Sequence, residues 1–204
     1  MSAPGSLPPA VVRRRRLQLV ALAALFLGPL AFAAWLYYGS GVRPAGRLEH
    51  GELANPPRPL PEAVLATPGG GRTAPRFLRG KWSLITVARG DCEARCRAAL
   101  ATTRRVRAAL NEDAARVQRV LLAPAGCCRA PLPDESPAEL VTAWLDGAGG
   151  RELAAALGGG TAPEDGRIYL ADPLGNLVLS YAAGADPKGL LTDLERLLRL
   201  SHIG

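Results

Sequence analysis

The fold is decided by the segment KWSLITVARGDCEARC, which runs from Lys81 to Cys96. Its first half, Lys81 to Ala88, is rich in apolar and β-branched residues, which predicts a mostly buried strand. Gly90 and Asp91 interrupt this strand, and Asp91 is a good residue to cap the N-terminus of a helix. The sequence therefore predicts a helix from Cys92 to about Leu110, directly after a buried strand.

Downstream of this segment the pattern continues as alternating strands and helices. The order is βαβ followed by ββα, which predicts an α/β fold of the thioredoxin-like type, with a parallel crossover first and an antiparallel hairpin second. The further predicted elements are a strand over Val117–Leu122, short helices over Ala138–Leu145 and Arg151–Leu157, a hairpin of Arg167–Ala171 and Leu177–Tyr181, and an amphipathic helix over Lys188–Leu200.

Upstream, residues 17–38 form an uncharged, apolar run that directly follows four arginines, Arg13 to Arg16. A helix of this length reaches roughly 33 Å, enough to cross a hydrocarbon core of about 30 Å. Because positive flanks stay in the cytoplasm, we expect residues 1–16 to form a cytoplasmic tail and residues 17–38 to span the inner (plasma) membrane. The C-terminal domain is then expected in the periplasm. A cleaved signal peptide with its cleavage site near Ala31–Ala33 is the alternative, although the run exceeds the roughly 7–15 apolar residues of a signal peptide.

Beyond the apolar run the chain divides into two parts by composition. Residues 39–74 are rich in glycine and proline and are predicted to form an extended linker, and residues 75–204 form the predicted thioredoxin-like domain. Much of the formal net charge of +7 comes from the arginines before the apolar run. The charge of the exported part and its location therefore argue against nucleic acid as a partner.

Cys92 and Cys96 are the candidate catalytic residues. Their i, i+4 spacing predicts two sulfurs on one helical face, and the N–H groups at the start of a helix favour a thiolate at Cys92. Thiolates attack disulfides and bind soft metals, and cysteines outside the cytoplasm lie where disulfides form and persist. We expect Cys92 to be the more exposed, attacking thiolate and Cys96 its resolving partner; a structural disulfide or two ordinary buried cysteines are the alternatives.

The segment from Trp82 through Cys96, together with Ile168–Gly175 (IYLADPLG), resembles the Sco family of cytochrome oxidase assembly proteins. The resemblance spans roughly residues 76–200 in layout. It implies a membrane-anchored protein with a thioredoxin fold that presents a Cys-x-x-x-Cys motif outside the cytoplasm.

The same resemblance makes Cys92 and Cys96 candidate ligands of a copper ion. Sco proteins bind copper with both cysteines and with a histidine that shortly precedes the Tyr-Leu strand. The corresponding residues 162–166 of this chain read APEDG, without a histidine. The only histidines, His50 and His202, are interpreted as solvated polar residues. The residues therefore argue against a Cys₂His copper site, whereas dithiol chemistry is unaffected.

A second pair of cysteines, Cys127 and Cys128, follows the strand predicted over Val117–Leu122. Adjacent cysteines can close only a small disulfide ring. They could also resolve a mixed disulfide with Cys92 or Cys96, bind a soft metal, or be incidental loop residues. The nearby acids Asp134 and Glu135 are interpreted as solvated loop residues, and Ser136 as the cap of a following helix.

Three functions fit these features. The leading hypothesis is an assembly factor for cytochrome c oxidase, which acts on the cysteines or copper of a respiratory oxidase subunit or a copper-handling protein at the membrane surface. The alternatives are a general extracytoplasmic thiol–disulfide oxidoreductase and a non-catalytic interaction module whose cysteines only stabilise the fold.

Overall fold

The computed structural model describes residues 9–38, 49–128, 132, 135–136 and 138–201. The chain forms two compact units, Met1–Arg47 and Leu48–Gly204. The described part of the first unit is one helix, α1 (Pro9–Tyr38), which contains Pro29. Its apolar stretch Arg13–Trp35 is long enough to cross a membrane, and none of that stretch is buried. Helix α1 is therefore a candidate membrane span, as predicted for residues 17–38.

The described part of the second unit is built on a six-stranded mixed sheet with the strand order β1-β6-β5-β2-β3-β4. The central strand β2 pairs in parallel with β3, which pairs in parallel with β4, whereas β5, β6 and β1 follow in antiparallel pairs. The strands are β1 (Glu52–Pro59), β2 (Trp82–Val87), β3 (Val117–Ala123), β4 (Leu140–Trp144), β5 (Ile168–Ala171) and β6 (Asn176–Tyr181).

Helices cover both faces of the sheet. They are α2 (Ala94–Ala109), α3 (Gly147–Gly158) and α4 (Pro187–Leu200), and a 3₁₀ helix, Asn111–Arg116, joins α2 to β3. On one face Leu84 packs in a cluster with residues of α2 and α4. On the other face Ile85 packs with residues of α3. Because both faces are covered, all six residues of β2 are buried, as the run of apolar residues predicted.

The predicted hairpin and closing helix are confirmed by β5, β6 and α4, and the strand after the first helix by β3. The helix predicted over Ala138–Leu145 is wrong, because these residues contain the strand β4. Val141 and Thr142 are β-branched residues, which favour a strand. Pairing with β3 gives this segment backbone hydrogen bonds, whereas an isolated helix this short would be only marginally stable. The preceding turn, in which Leu140 N–H donates to Ser136 O at 3.0 Å, leads into a strand and not into a helix.

The linker predicted over residues 39–74 also needs correction for its described part. Residues 52–59 are extended, but they form the edge strand β1, in which Leu53 lies opposite Leu179 of β6. An edge strand tolerates the prolines in this segment, because one side of its backbone needs no partner in the sheet. Leu60 and Leu65 then enter the core. The globular unit therefore begins near residue 48, and not at residue 75.

Candidate functional site

The candidate cysteines lie where the chain leaves the carboxyl end of β2 and enters α2. The helix begins at Ala94, two residues later than predicted, and Glu93 occupies its N-cap position without a side-chain hydrogen bond. Asp91, the predicted cap, instead accepts a hydrogen bond from the backbone N–H of Cys128, with a distance of 3.2 Å from N to Oδ1. Asp91 therefore connects the loop after β2 to the loop after β3.

Cys92 and Cys96 are joined in a disulfide, with their Cα atoms 5.1 Å apart. The exposed fractions of the two residues are 2% and 0%. Arg97 Nε donates to the carbonyl oxygen of Cys92 at 2.8 Å, which fixes the backbone ahead of the helix. The structure brings the two predicted sulfurs together, but the expected exposure of an attacking thiolate at Cys92 is not met in this oxidised state.

Cys127 and Cys128 form a second disulfide. Cys127 is 8% exposed and Cys128 is partly exposed, with a left-handed backbone φ of +63°. Because β2 and β3 are parallel neighbours, the loops at their carboxyl ends meet at one edge of the sheet. The two disulfides consequently pack in a single cluster, whose other buried members are Ala88, Leu100, Leu121, Ala123 and Leu140.

A cleft of about 640 Å³ opens beside the second disulfide. Both Cys127 and Cys128 line it, whereas neither Cys92 nor Cys96 does. Trp144 is partly buried and lines the same cleft. The cleft also contains Leu132, Leu140 and Val141, and its exposed lining is mainly apolar.

Glu135 is part of a buried ion pair beside this cleft, so its interpretation as a solvated acid is wrong. Its two carboxylate oxygens accept hydrogen bonds from Arg119 at 2.7 and 2.8 Å. The side chains of Arg119 and Glu135 are only 1% and 8% exposed. Arg119 also donates to Thr103 Oγ1 and to the Leu100 carbonyl of α2. An arginine inside the mostly apolar strand β3 was the sequence signal for this pair. Asp134 lies outside the described residues.

The described residues do not fit a Cys₂His copper site. They contain no group of three or more His, Cys, Asp or Glu side chains placed to hold a metal ion, and the sulfurs of Cys92 and Cys96 are bonded to each other. Residues 162–166 do lie against the start of α2: a Cβ atom at Gly166 would come within 2.8 Å of the Arg95 backbone. Asp165, in this loop, accepts a hydrogen bond from the Arg89 N–H at 3.0 Å.

His50 lies in a different cluster. Its Nδ1 is 3.1 Å from Oδ1 of the buried Asp193 on α4, and Tyr181 donates its hydroxyl to Oδ2 of the same carboxylate at 2.9 Å. Burial, and then the hydrogen bond to Asp193, raise the pKa of Tyr181. His50 therefore fastens the start of β1 to α4, and His202 lies outside the described residues.

A thioredoxin-like sheet with a disulfide at its first strand-to-helix junction agrees with comparisons to known proteins. A family model described as "Transmembrane-like, thioredoxin-like, C-terminal domain" matches residues 82–201. The chain belongs to this family. Among curated proteins, none has a sequence that matches it.

The solved structures that resemble this thioredoxin-like domain include Sco proteins. The solution structure of apo Sco1 from Thermus thermophilus has a TM-score of 0.57 at 19% identity, over 75% of this chain and 99% of that one. BsSco, described as a member of the Sco family of cytochrome c oxidase assembly proteins with a disulfide switch, has a TM-score of 0.51 at 15% identity, over 71% and 97%. Arabidopsis thaliana ScoI with copper bound has a TM-score of 0.50 at 18% identity, over 74% and 99%.

These likenesses confirm the resemblance to Sco proteins at the level of the fold. The mixed sheet and the N-terminal apolar helix agree with the predicted fold class. The copper bound by Arabidopsis thaliana ScoI is a property of that protein.

Proposed function

We propose that this protein is a membrane-anchored thiol–disulfide exchange factor that acts in the maturation of cytochrome c oxidase. In this proposal α1 spans the inner membrane with residues 1–16 in the cytoplasm, and the thioredoxin-like domain lies in the periplasm. The partner is a respiratory oxidase subunit or a copper-handling protein whose cysteines must be reduced before they bind metal. Cys92 and Cys96 carry the reaction.

The observation that carries this proposal is the disulfide between Cys92 and Cys96 at the junction of β2 and α2. In a thioredoxin-like domain this junction places two sulfurs beside the N-terminus of a helix, whose N–H groups stabilise a thiolate when the disulfide is reduced. The apolar helix α1 and its arginine flank support export of the domain to an oxidising compartment. The Sco-like fold supports an oxidase as the destination.

The exchange balances within the two proteins. In the reduced state the Cys92 thiolate attacks one sulfur of a partner disulfide, which breaks the partner's S–S bond and gives a mixed disulfide. Cys96 then attacks Cys92 Sγ, releases the partner's second thiolate and restores the Cys92–Cys96 bond. The partner gains two electrons and this protein returns to the oxidised state, ready to be reduced again by another dithiol.

Copper has no assigned step in this exchange, because the described residues provide no third ligand beside Cys92 and Cys96. The partner's copper chemistry is served by the supply of free thiols. When copper is bound by a reduced dithiol it is held as Cu(I), a soft ion that prefers thiolates.

A test in cells compares the wild-type chain with Cys92→Ser, Cys96→Ser and the double variant, each expressed from the native locus. We expect each variant to lower cytochrome c oxidase activity in isolated membranes while the protein is present at wild-type abundance. Thr192→Ala, which changes an exposed residue of α4 and leaves every cysteine in place, is the control and should retain full activity. Normal oxidase activity in the double variant would exclude this function.

A general oxidoreductase makes a different prediction for the same cysteines. Such an enzyme would reduce insulin rapidly in the presence of excess dithiol, with or without Cu(I). A specific assembly factor should reduce insulin slowly, because its sulfurs are shielded from a partner that does not fit the surface around them. If both cysteine variants affect neither assay, the disulfide is structural.

A further inference from the structure

We propose that Cys127 and Cys128 are the electron entry point of this protein, and that they pass reducing equivalents to the buried Cys92–Cys96 disulfide. This relay rests on the proposed redox function of Cys92 and Cys96 and adds the route by which that pair is reduced. The substrate of the entry point is a protein dithiol.

The four cysteines differ in how much of each residue is exposed to solvent. Cys96 is 0% exposed, Cys92 2%, Cys127 8%, and Cys128 is partly exposed. Disulfide exchange requires that the attacking thiolate reach a sulfur along the S–S axis, so access decides which disulfide reacts first. In this oxidised state a folded dithiol protein meets Cys128 at the surface, whereas the packing around Cys92 and Cys96 keeps it from their disulfide.

The two disulfides belong to the same region of the core. All four cysteines belong to one packed cluster, with Ala88 and Leu121 among the apolar residues around them. The hydrogen bond from Cys128 N–H to Asp91 holds the two loops together within one residue of Cys92. The loops that carry the two pairs are therefore neighbours in one cluster, and the relay requires a local rearrangement that brings Cys127 Sγ onto Cys92 Sγ.

An open cleft lies beside Cys127 and Cys128. It is lined by Trp144, Leu140 and Val141, and it presents apolar surface next to the more exposed disulfide. Clefts of several hundred Å³ with apolar walls and a few reactive groups are typical binding sites. The cleft offers a partner's cysteine-bearing loop a place to bind while its thiolate reaches Cys128.

The relay consists of two exchanges. A thiolate of the partner dithiol attacks Cys128 Sγ, breaks the Cys127–Cys128 bond and leaves Cys127 as a thiolate. The partner's second thiol displaces Cys128, so the partner becomes a disulfide and the vicinal pair a dithiol.

In the second exchange the Cys127 thiolate attacks Cys92 Sγ and breaks the Cys92–Cys96 bond. Cys128 then attacks Cys127 Sγ, which restores the vicinal disulfide and leaves Cys92 and Cys96 as thiols. The net reaction transfers two electrons and two protons from the partner to Cys92 and Cys96.

The test follows reduction of the full-length chain in detergent micelles by reduced thioredoxin, a folded protein dithiol. Samples are quenched with acid and alkylated, and peptide mass spectrometry gives the redox state of each cysteine over time. The wild type is compared with the double variants Cys127→Ser/Cys128→Ser and Cys127→Ala/Cys128→Ala. A small phosphine reductant, which does not need the relay, measures the intrinsic access to Cys92–Cys96 in each protein.

We expect thioredoxin to reduce Cys92–Cys96 about tenfold or more slowly in both double variants, because exchange rates depend on which sulfur is accessible. The rate with the phosphine should stay within about twofold of the wild type. Equal thioredoxin rates in the wild type and both variants would overturn the relay and leave the proposed function intact. A Cys92–Cys96 disulfide that thioredoxin reduces in none of the proteins would overturn both.

A trapping variant provides a second readout. In Cys96→Ser, the Cys92 thiol has lost its resolving partner and shares its cluster with the vicinal disulfide. We expect it to form a disulfide with Cys127 or Cys128, visible as a cross-linked peptide after alkylation of the purified full-length chain. A free Cys92 beside an intact Cys127–Cys128 disulfide would contradict the relay.

Discussion

At the scale of single residues, Arg119 is a charged side chain that is only 1% exposed. It is buried in β3, and its guanidinium is satisfied by Glu135, Thr103 and the Leu100 carbonyl. Arg119→Met leaves the Glu135 carboxylate without this partner at a buried position. We expect this variant to lose about 3–5 kcal/mol of unfolding free energy, measured by chemical denaturation.

The matched control is the exposed pair of Arg76 and Glu62, whose side chains lie 2.9 Å apart. Arg76→Met should cost at most about 1 kcal/mol, because solvent screens exposed pairs. The double variant Arg119→Met/Glu135→Leu should recover much of the stability lost by the single one. Equal losses in the buried and exposed single variants would contradict the burial of this ion pair.

Because of Tyr181, we expect the free energy of unfolding to fall at alkaline pH. Burial, together with its hydrogen bond to Asp193, raises its pKa above the value of about 10 in an unfolded chain. The folded state therefore keeps this proton while the unfolded state releases it, so the contribution is complete below about pH 10 and is lost as the pH rises further. Tyr181→Phe should be less stable by about 1–3 kcal/mol at neutral pH, because Asp193 loses a donor.

The same variant should lose stability less steeply than the wild type above pH 10. Unfolding free energies measured by denaturation between pH 8 and 12 give both slopes. Parallel curves for the two proteins would show that Tyr181 titrates normally in the folded state.

At the scale of elements, the segment between β1 and β2 is part of the folded domain and not a linker. Leu65 is 1% exposed and packs in the cluster under α3, whereas Leu53 in β1 is 51% exposed. Leu65→Ala should lower the unfolding free energy by about 2–5 kcal/mol, because a buried leucine leaves a cavity. Leu53→Ala is the control and should cost less than about 1 kcal/mol. Similar small losses in both would restore the linker interpretation.

The elements that could be predicted from sequence are those with an unambiguous local pattern. The apolar β2, the hairpin around Asp172–Asn176 and the amphipathic α4 each carry their own periodicity or turn residues. The strands β1 and β4 lie at the two edges of the sheet and take their structure from a partner strand. Pairing between distant segments leaves little trace in a short sequence window. The local sequence therefore predicts a linker where β1 forms and a helix where β4 forms.

At the scale of the whole molecule, the sequence could predict which side chains form the candidate site but not their accessibility. The spacing of Cys92 and Cys96 predicted that their sulfurs meet. Burial of both, and the packing of Cys127 and Cys128 against them, depend on how two loops from neighbouring parallel strands come together. The burial of Glu135 likewise depends on its ion pair with Arg119 of β3, which the sequence around Glu135 does not reveal.

The proposed function requires that Cys92–Cys96 is a reversible redox pair and not a structural cross-link. The most direct measurement equilibrates the full-length chain in dithiol–disulfide buffers of known potential and maps each cysteine by alkylation and mass spectrometry. We predict that Cys92–Cys96 is half reduced between about −270 and −120 mV, the range of thioredoxin-fold oxidoreductases. A Cys92–Cys96 pair that stays oxidised in buffers below about −300 mV, as structural disulfides do, would contradict the account.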